Sequence, residues 1–287
     1  MRILKWAALA GGLVLVAAEI TLRLSGLLDF PLYRPGLPYG YIPAPSQSGA
    51  FLNHYDYAFN SRSMGVADEF APKPDVKDTF LVGDSIVYGG NPYRQSEKLG
   101  PQLQGKIGGK VWPISAGSWS LSNELLYIEL NPDVARRSDE LVFVLNSGDL
   151  QAPSAWKLES THPTHRPLLA FQYLAAKKLH IEGRRPIGPA LVRDWKSQWS
   201  AFRAGKSPPT LIVLYPNKAE ANDGKLRFSA LVEPMQVLSG VGVRFVDVGA
   251  DRRWNTSLYR DEIHPTPEGT GILATIVSEA MTPKKDP

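Results

Sequence analysis

Short apolar runs alternate along the chain with longer stretches in which apolar residues recur every three or four positions. The runs have the length and β-branched content of buried strands, whereas the longer stretches have the period of amphipathic helices. The predicted strands cover residues 79–82, 111–114, 141–145, 210–214 and 243–248. The predicted helices cover residues 95–106, 122–130, 168–179, 190–202, 226–238 and 267–281.

This alternation predicts an α/β fold, in which five strands form a mostly parallel sheet and helices cover both of its faces. The last helix has a clear start, because Thr266 can cap it and Pro267 follows at the first helical position. In open sheets of this kind, ligands bind at the carboxyl ends of the strands. Ser85, which follows the first predicted strand, is therefore expected at that edge.

The first 28 residues form a separate unit, which is a signal anchor or a signal peptide. Arg2 and Lys5 precede an apolar run over residues 6–18, and extension of this run to residue 28 reaches the length that spans a bilayer. Residues 16–18, Val-Ala-Ala, are suited to a signal peptidase, so cleavage stays open. With the two cations held in the cytoplasm, the remainder would be exported, in a bacterium from the inner membrane into the periplasm.

Composition gives information on the domain organisation of the chain and on its partners. Residues 29–75 are rich in Pro, Gly and Tyr and are interpreted as a spacer with short strands near residues 50–60, followed by the α/β domain over residues 76–287. A net charge of +4 with scattered Lys and Arg argues against a nucleic-acid partner. The chain has no cysteine, which excludes a disulfide framework.

Two distant segments supply the residue types of nucleophilic catalysis. Ser85 lies within Gly83-Asp84-Ser85 directly after a strand, while Asp261 and His264 lie three positions apart before the last helix. An imidazole can take the proton of a serine hydroxyl, and a carboxylate can hold the imidazole in the required tautomer. We therefore predict a Ser85–His264–Asp261 triad.

Four blocks in this order resemble the SGNH hydrolase family, also called GDSL esterases and lipases. The blocks are Gly83-Asp84-Ser85, Gly117, Asn146-Ser147-Gly148-Asp149, and residues 261–265, Asp-Glu-Ile-His-Pro. The resemblance covers residues 78–281. It implies a flavodoxin-like three-layer α/β/α domain, ester chemistry without a metal or other cofactor, and an oxyanion hole that includes the backbone N–H groups of Ser85 and Gly117.

The third block departs from the family pattern Gly-x-Asn-Asp, in which the Asn side chain is a further oxyanion donor. Here Gly148 occupies the aligned position and Asn146 lies two residues earlier. Either Asn146 replaces the missing donor or the donor is absent, and the loss of one such donor raises a barrier by about 2.7–4 kcal/mol.

Other candidate side chains have two interpretations each. Trp119 and Trp254 lie near the predicted site residues and either stack against a sugar ring or pack in the core. His162 and His165 have a spacing that could bind a metal, but no third ligand lies nearby in the sequence, which favours a solvated loop.

The triad predicts a serine esterase or O-acyltransferase. Export, the membrane tether and the resemblance to anchored SGNH proteins that modify polysaccharides imply that it acts outside the cytoplasm on O-acyl groups, foremost acetyl, of a cell-envelope or exported polysaccharide. Water as acceptor gives hydrolysis, and a sugar hydroxyl gives transfer. Two alternatives stay open. One is a lipid or lysophospholipid esterase, and the other is a catalytically silent carbohydrate-binding component of a polysaccharide secretion system.

Overall fold

The computed structural model describes residues 2–155, 158–179, 194–205 and 207–282. A long helix, α1 (Arg2–Leu24), is followed by two antiparallel hairpins. The first hairpin pairs β1 (Tyr33–Leu37) with β2 (Gly40–Pro43), and the second pairs β3 (Gln47–Phe51) with β4 (Tyr55–Phe59).

The rest of the described chain builds a five-stranded sheet with flanking helices. Its strands are β5 (Asp78–Gly83), β6 (Lys110–Ser115), β7 (Glu140–Leu145), β8 (Thr210–Leu214) and β9 (Val243–Asp247). They are all parallel and lie in the order β6–β5–β7–β8–β9. All five predicted strands are confirmed, and each end differs from the prediction by at most one residue.

The helices of this domain are α2 (Ser85–Tyr88), α3 (Leu99–Ile107), α4 (Leu121–Leu130), α5 (Pro132–Arg136), α6 (Ala170–Lys178), α7 (Trp195–Ala204), α8 (Lys218–Asn222), α9 (Gly224–Leu238) and α10 (Pro267–Met281). The first predicted helix is divided, because Lys98 has an extended conformation between a 3-10 turn, Gln95–Glu97, and α3. Residues 190–193 of the fourth predicted helix lie outside the described residues. Thr266 caps α10 as expected, because its hydroxyl accepts a hydrogen bond from the Gly269 N–H at 3.0 Å.

Helices cover both faces of the sheet, which gives the predicted three layers. Phe80 and Val82 of β5 pack in a cluster with residues of α4 and α7, whereas Leu81 packs in a second cluster with residues of α3 and α10. Neighbouring residues of a strand point to opposite faces, so one short apolar run contributes to both cores.

Residues 29–75 are part of the packed structure as well as a connection from α1. Tyr41, Tyr57 and Met64 are buried in the same cluster as Phe80 and Val82. Side chains of the two hairpins therefore contribute to the core on the face of the sheet that α4 and α7 cover. The domain boundary near residue 75 stays a prediction.

One described helix, over Lys5–Leu24, is long and apolar enough to cross a membrane. Its large apolar side chains, which include Trp6, Leu13 and Ile20, are exposed. Near its end, α1 contacts α6.

Candidate active site

The register of the sheet brings the predicted site residues to one edge. Gly83, the last residue of β5, pairs with Ser115 of β6 and Val144 of β7, so these three strands end at the same level. The segments that leave them, together with the loop before α10, place four predicted site residues around one cleft of about 690 Å³. These residues are Ser85, Gly117, Asn146 and His264.

Ser85 begins α2 in a tight strand-to-helix turn. The Asp84 carboxylate caps this helix by accepting a hydrogen bond from the Ile86 N–H at 2.8 Å. A Cβ atom at position 83 would lie 2.5 Å from the Val87 Cγ2 atom, so the turn requires glycine there. The sequence Gly-Asp-Ser thus holds the hydroxyl of Ser85 at the carboxyl edge of the sheet.

A continuous chain of hydrogen bonds joins Ser85, His264 and Asp261. The Ser85 Oγ atom lies 2.9 Å from His264 Nε2, and His264 Nδ1 lies 2.9 Å from Asp261 Oδ2. A carboxylate only accepts hydrogen bonds, so Nδ1 carries the ring hydrogen and Nε2 accepts the serine O–H. In this tautomer the imidazole is ready to remove the serine proton.

Backbone contacts fix the loop that holds His264. The Arg260 N–H donates to the His264 carbonyl at 2.8 Å, and the Tyr215 hydroxyl donates to the Ile263 carbonyl at 2.6 Å. The Thr266 N–H donates to the Leu258 carbonyl at 2.7 Å. These bonds leave the imidazole little freedom to move away from Ser85.

The Asp261 carboxylate is held in its ionised form. Burial alone would raise its pKa, but the N–H groups of His264 and Ile263 and the His264 ring bond to the carboxylate and together hold the pKa well below its usual value. Asp261 is nevertheless accessible, with 45% of its side chain exposed.

The Gly117 loop forms a second wall of the cleft. The Trp119 N–H donates to the Ala116 carbonyl at 3.2 Å, and Ser118 has a φ of 64°, as the third residue of a type II turn requires. The Gly117 carbonyl accepts from the Tyr41 hydroxyl at 2.5 Å and lies 3.3 Å from His162 Nε2. Groups outside the turn therefore restrain the conformation of Gly117.

The side-chain amide of Asn146 forms hydrogen bonds with other groups of the protein. Its Nδ2 atom donates to Asp149 Oδ2 at 2.8 Å and to Asp84 Oδ2 at 3.2 Å, while its Oδ1 atom accepts from the Gly148 N–H at 2.7 Å. The Gly148 N–H fixes which end of the amide faces the carboxylates. In this arrangement both amide hydrogens of Asn146 have acceptors, and its role as an oxyanion donor stays a prediction.

Three carboxyl groups, those of Asp84, Glu124 and Asp149, form a buried cluster beneath Ser85 and Asn146. Burial raises the pKa of Asp84, and it raises the pKa of Glu124 and Asp149 well above their usual values, with further increases from the neighbouring carboxylates. Among residues 2–155, 158–179, 194–205 and 207–282, neither oxygen of Glu124 has a hydrogen-bond partner. The sequence pattern gave no sign of this cluster, because its members come from three segments that are distant in the sequence.

His162 lies in the cleft rather than in a solvated loop. Its ring packs edge-on against Tyr33 and Tyr41, with centroids 4.8 and 4.6 Å away. Thr161 Oγ1 lies 2.9 Å from His162 Nδ1, so the Thr161 hydroxyl can donate to this nitrogen. The ring hydrogen is then on Nε2, which donates to the Gly117 carbonyl. No local pattern indicated this role, since its aromatic partners lie more than a hundred positions earlier in the sequence.

The two tryptophans have packed environments. Trp119 borders the cleft but is only 1% exposed, and its indole N–H donates to the Tyr41 carbonyl at 2.8 Å. Trp254 packs against Tyr215 and donates to the Tyr259 hydroxyl at 2.8 Å. A sugar needs an open ring face to stack on, so these contacts favour the packing alternative for both residues.

Within the described part of the chain, no group of three or more His, Cys, Asp or Glu side chains is arranged to hold a metal ion.

No family model matches the sequence, and no curated protein matches it. Solved structures that are similar to it include a member of the lipolytic G-D-S-L family from Veillonella parvula, with 15% identity, a TM-score of 0.40, and coverage of 72% of this chain and 99% of that chain. The C-terminal catalytic domain of a Streptococcus pneumoniae peptidoglycan O-acetyltransferase is 12% identical, with a TM-score of 0.41 and coverage of 72% of this chain and 94% of that domain. A family two carbohydrate esterase from Clostridium thermocellum, in complex with cellohexaose, is 13% identical, with a TM-score of 0.40 and coverage of 74% of this chain and 65% of that chain.

Proposed function

We propose that this protein is a serine esterase or O-acyltransferase in which Ser85 is the nucleophile. The hydrogen-bond chain from Ser85 through His264 to Asp261, at the open edge of the sheet, is the observation that carries the proposal. A serine needs an adjacent base to become nucleophilic, and a base needs a third group to orient it. The side chains of this site meet both requirements.

In the proposed mechanism, His264 takes the Ser85 proton while Oγ forms a bond to the acyl carbon. The N–H groups of Ser85 and Gly117 stabilise the oxyanion, and the protonated His264 donates its proton to the departing alcohol as the ester C–O bond breaks. Water or a sugar hydroxyl then attacks the acyl carbon and gives its proton to His264, which passes the proton to Ser85 Oγ as the bond between Oγ and the acyl carbon breaks. The acceptor decides between hydrolysis and transfer.

The lining of the cleft supports a carbohydrate ester as the substrate. Polar side chains such as Asn91, Ser118 and Thr161 line the cleft together with the partly exposed ring of Tyr173. Sugars offer many hydroxyl groups for hydrogen bonds, and their apolar ring faces pack on aromatic surfaces. We therefore propose a polysaccharide with small O-acyl groups, foremost acetyl, as the substrate.

The proposed location is the periplasmic face of a bacterial inner membrane. The support is α1, whose apolar window, Lys5–Leu24, has the length of a membrane span. With Arg2 and Lys5 in the cytoplasm, the cleft would face the compartment where envelope polysaccharides lie. Cleavage after residue 18 would instead release the protein.

A lipid or lysophospholipid esterase is the second candidate, and a neighbouring cavity favours it. This cavity, of about 520 Å³, shares Phe30, Tyr173 and Lys177 with the cleft and is also lined by Leu168 and Ala176. An acyl chain could occupy it.

Turnover of p-nitrophenyl acetate by the full chain in detergent tests the catalytic proposal. We expect Ser85→Ala and His264→Ala each to lower kcat by about 10⁴-fold or more, as the loss of a triad member does. Ser229→Ala, which removes an exposed hydroxyl that bonds only to its own helix, is the matched control. Equal rates for the wild type and the two site variants would favour the silent carbohydrate-binding alternative.

Labelling with a fluorophosphonate followed by peptide mapping gives a second test that needs no substrate. Modification should occur at Ser85 and be lost in His264→Ala. A series of esters with increasing acyl length then separates the two candidates, since a preference for long chains would contradict the acetyl assignment.

A further inference from the structure

Exposed apolar side chains of the globular part are concentrated where α1 ends. Leu168, Phe171 and Leu174 follow one another at intervals of three along α6 and the segment before it, with Leu168 87% exposed. Leu52, in the turn between β3 and β4, is also exposed, and its N–H bonds to Gly26, two residues after α1. Isolated surface leucines are ordinary, but several exposed apolar side chains on one helix and beside the end of α1 indicate an interaction site.

Hydrogen bonds fasten α6 to α1. The Glu19 carboxylate of α1 accepts from the Ala170 N–H at 2.8 and 2.9 Å and from the Phe171 N–H at 3.3 Å, which caps the N-terminus of α6. Arg23 bonds both to Glu19 and to the Leu168 carbonyl. Because side chains of α1 satisfy the start of α6, the two helices hold a defined position relative to each other.

The position of this joint along α1 determines where α6 would lie in a membrane. Glu19 lies five residues before Leu24, or about 7.5 Å along the helix axis at 1.5 Å per residue. The window Lys5–Leu24 is about as long as the roughly 30 Å hydrocarbon layer is thick. A span in this register places the start of α6 within about 7.5 Å of the boundary between acyl chains and headgroups, which is the depth to which interfacial helices bury their apolar faces.

From these contacts we infer that α6, with Leu168 and Leu52 beside it, is a docking surface for the lipid bilayer into which α1 inserts. The inference rests on the proposed membrane anchor. The apolar side chains of α6 enter the boundary between acyl chains and headgroups, as those of interfacial helices do. The cations Lys177 and Lys178 at the end of α6 face anionic headgroups.

This surface would also orient the catalytic cleft. Tyr173 and Lys177 of α6 line the cleft, and Tyr173 stacks on Phe30, with centroids 5.0 Å apart. One wall of the cleft is thus the helix that docks on the membrane. The mouth of the cleft then lies at the bilayer surface, and the polymer or lipid that it accepts must approach along that surface.

Because the chain has no cysteine, single labelling sites can be introduced into the full-length protein. Three variants are labelled with a nitroxide: Leu13→Cys on α1, Leu174→Cys on α6, and Val241→Cys before β9, where the side chain is 96% exposed. Each is reconstituted in phosphatidylcholine vesicles with and without phosphatidylglycerol. Collisions with dissolved oxygen report the lipid phase, and collisions with a water-soluble nickel chelate report the aqueous phase.

We expect positions 13 and 174 to collide mainly with oxygen and position 241 mainly with nickel. An aqueous label at 174 with a lipid-buried label at 13 would overturn the docking surface and leave the anchor intact. Aqueous labels at both positions would refute the anchor itself, and the docking surface with it. Circular dichroism checks that each labelled variant is folded.

The two lysines supply an independent readout. In the combined variant Lys177→Gln and Lys178→Gln, the label at 174 should lose any extra depth that phosphatidylglycerol gives. An unchanged response to the anionic lipid would contradict the assigned role of these cations.

Discussion

Ser85 lies between two kinds of carboxylate environment. On one side, Asp261 is 45% exposed, accepts two backbone N–H groups and faces the His264 ring. On the other, Asp84, Glu124 and Asp149 are buried, and none of them forms an ion pair with a residue that the structure describes. The same functional group therefore has opposite tendencies within one site.

The difference shows that the balance between burial and donated hydrogen bonds, rather than residue type, decides which form of a carboxyl group is favoured. Donated N–H groups stabilise the charged form of Asp261, whereas desolvation disfavours the charged forms of Glu124 and Asp149. Asp261 is suited to orient an imidazole and to stabilise its cation. Of the buried carboxyls, Asp149 and Asp84 hold the backbone beneath Ser85, because they accept the N–H groups of Asn146 and Ile86.

Removal of the charge on the exposed side should have the largest effect. In Asp261→Asn, the amide no longer selects the tautomer with hydrogen on Nδ1, so we expect kcat for p-nitrophenyl acetate to fall by about 10⁴-fold. Glu262→Gln removes a charge from the adjacent residue and should keep the wild-type rate. A loss of less than tenfold in Asp261→Asn would show that this carboxylate does not orient His264.

On the buried side, Asn146→Ala should act first on stability. The change removes the donor to Asp84 and Asp149 and the acceptor of the Gly148 N–H. A buried polar group left without a partner destabilises a protein by about 1–3 kcal/mol. We therefore expect the free energy of unfolding, measured in urea, to fall by about 2 kcal/mol. A wild-type stability with a 10²-fold or greater loss of kcat would instead identify Asn146 as an oxyanion donor.

His162 connects the cleft to the hairpins, and its variant should have a smaller effect. His162→Phe retains a ring against Tyr33 and Tyr41 but loses the hydrogen bond to the Gly117 carbonyl. One neutral hydrogen bond contributes about 1 kcal/mol, so we expect kcat to fall by about five- to tenfold with KM nearly unchanged. His165→Phe, in the same loop with 72% of its side chain exposed, is the control. A change in KM alone would contradict a role in positioning Gly117.

The contrast also explains what the sequence could predict. Ser85 and His264 follow strong local signals, a strand before a glycine turn and a capped helix start, and parallel strands bring such segments to one edge. The environments of Glu124 and His162 depend on side chains that are distant in sequence, such as Asp84 and Tyr41. Periodicity marks Glu124 only as one position of an amphipathic helix, and it gives no information about which groups lie opposite.

Glu124→Gln tests whether the buried carboxyl group of Glu124 is protonated, and of the four variants it should have the smallest effect. Burial raises the pKa of Glu124 well above its ordinary value of 4.5, so the folded protein retains a proton that the unfolded chain releases. Above pH 4.5 the folded state binds more protons than the unfolded state, and stability therefore falls as pH rises toward the folded pKa. Glutamine has no such proton to lose, so the melting temperature of the variant should gain on that of the wild type between pH 5 and pH 8. Glu268→Gln, at an exposed position of α10, should show no such gain. A difference from the wild type that stays constant across this range would mean that Glu124 is charged in the folded protein, and the two sides of Ser85 would then be alike.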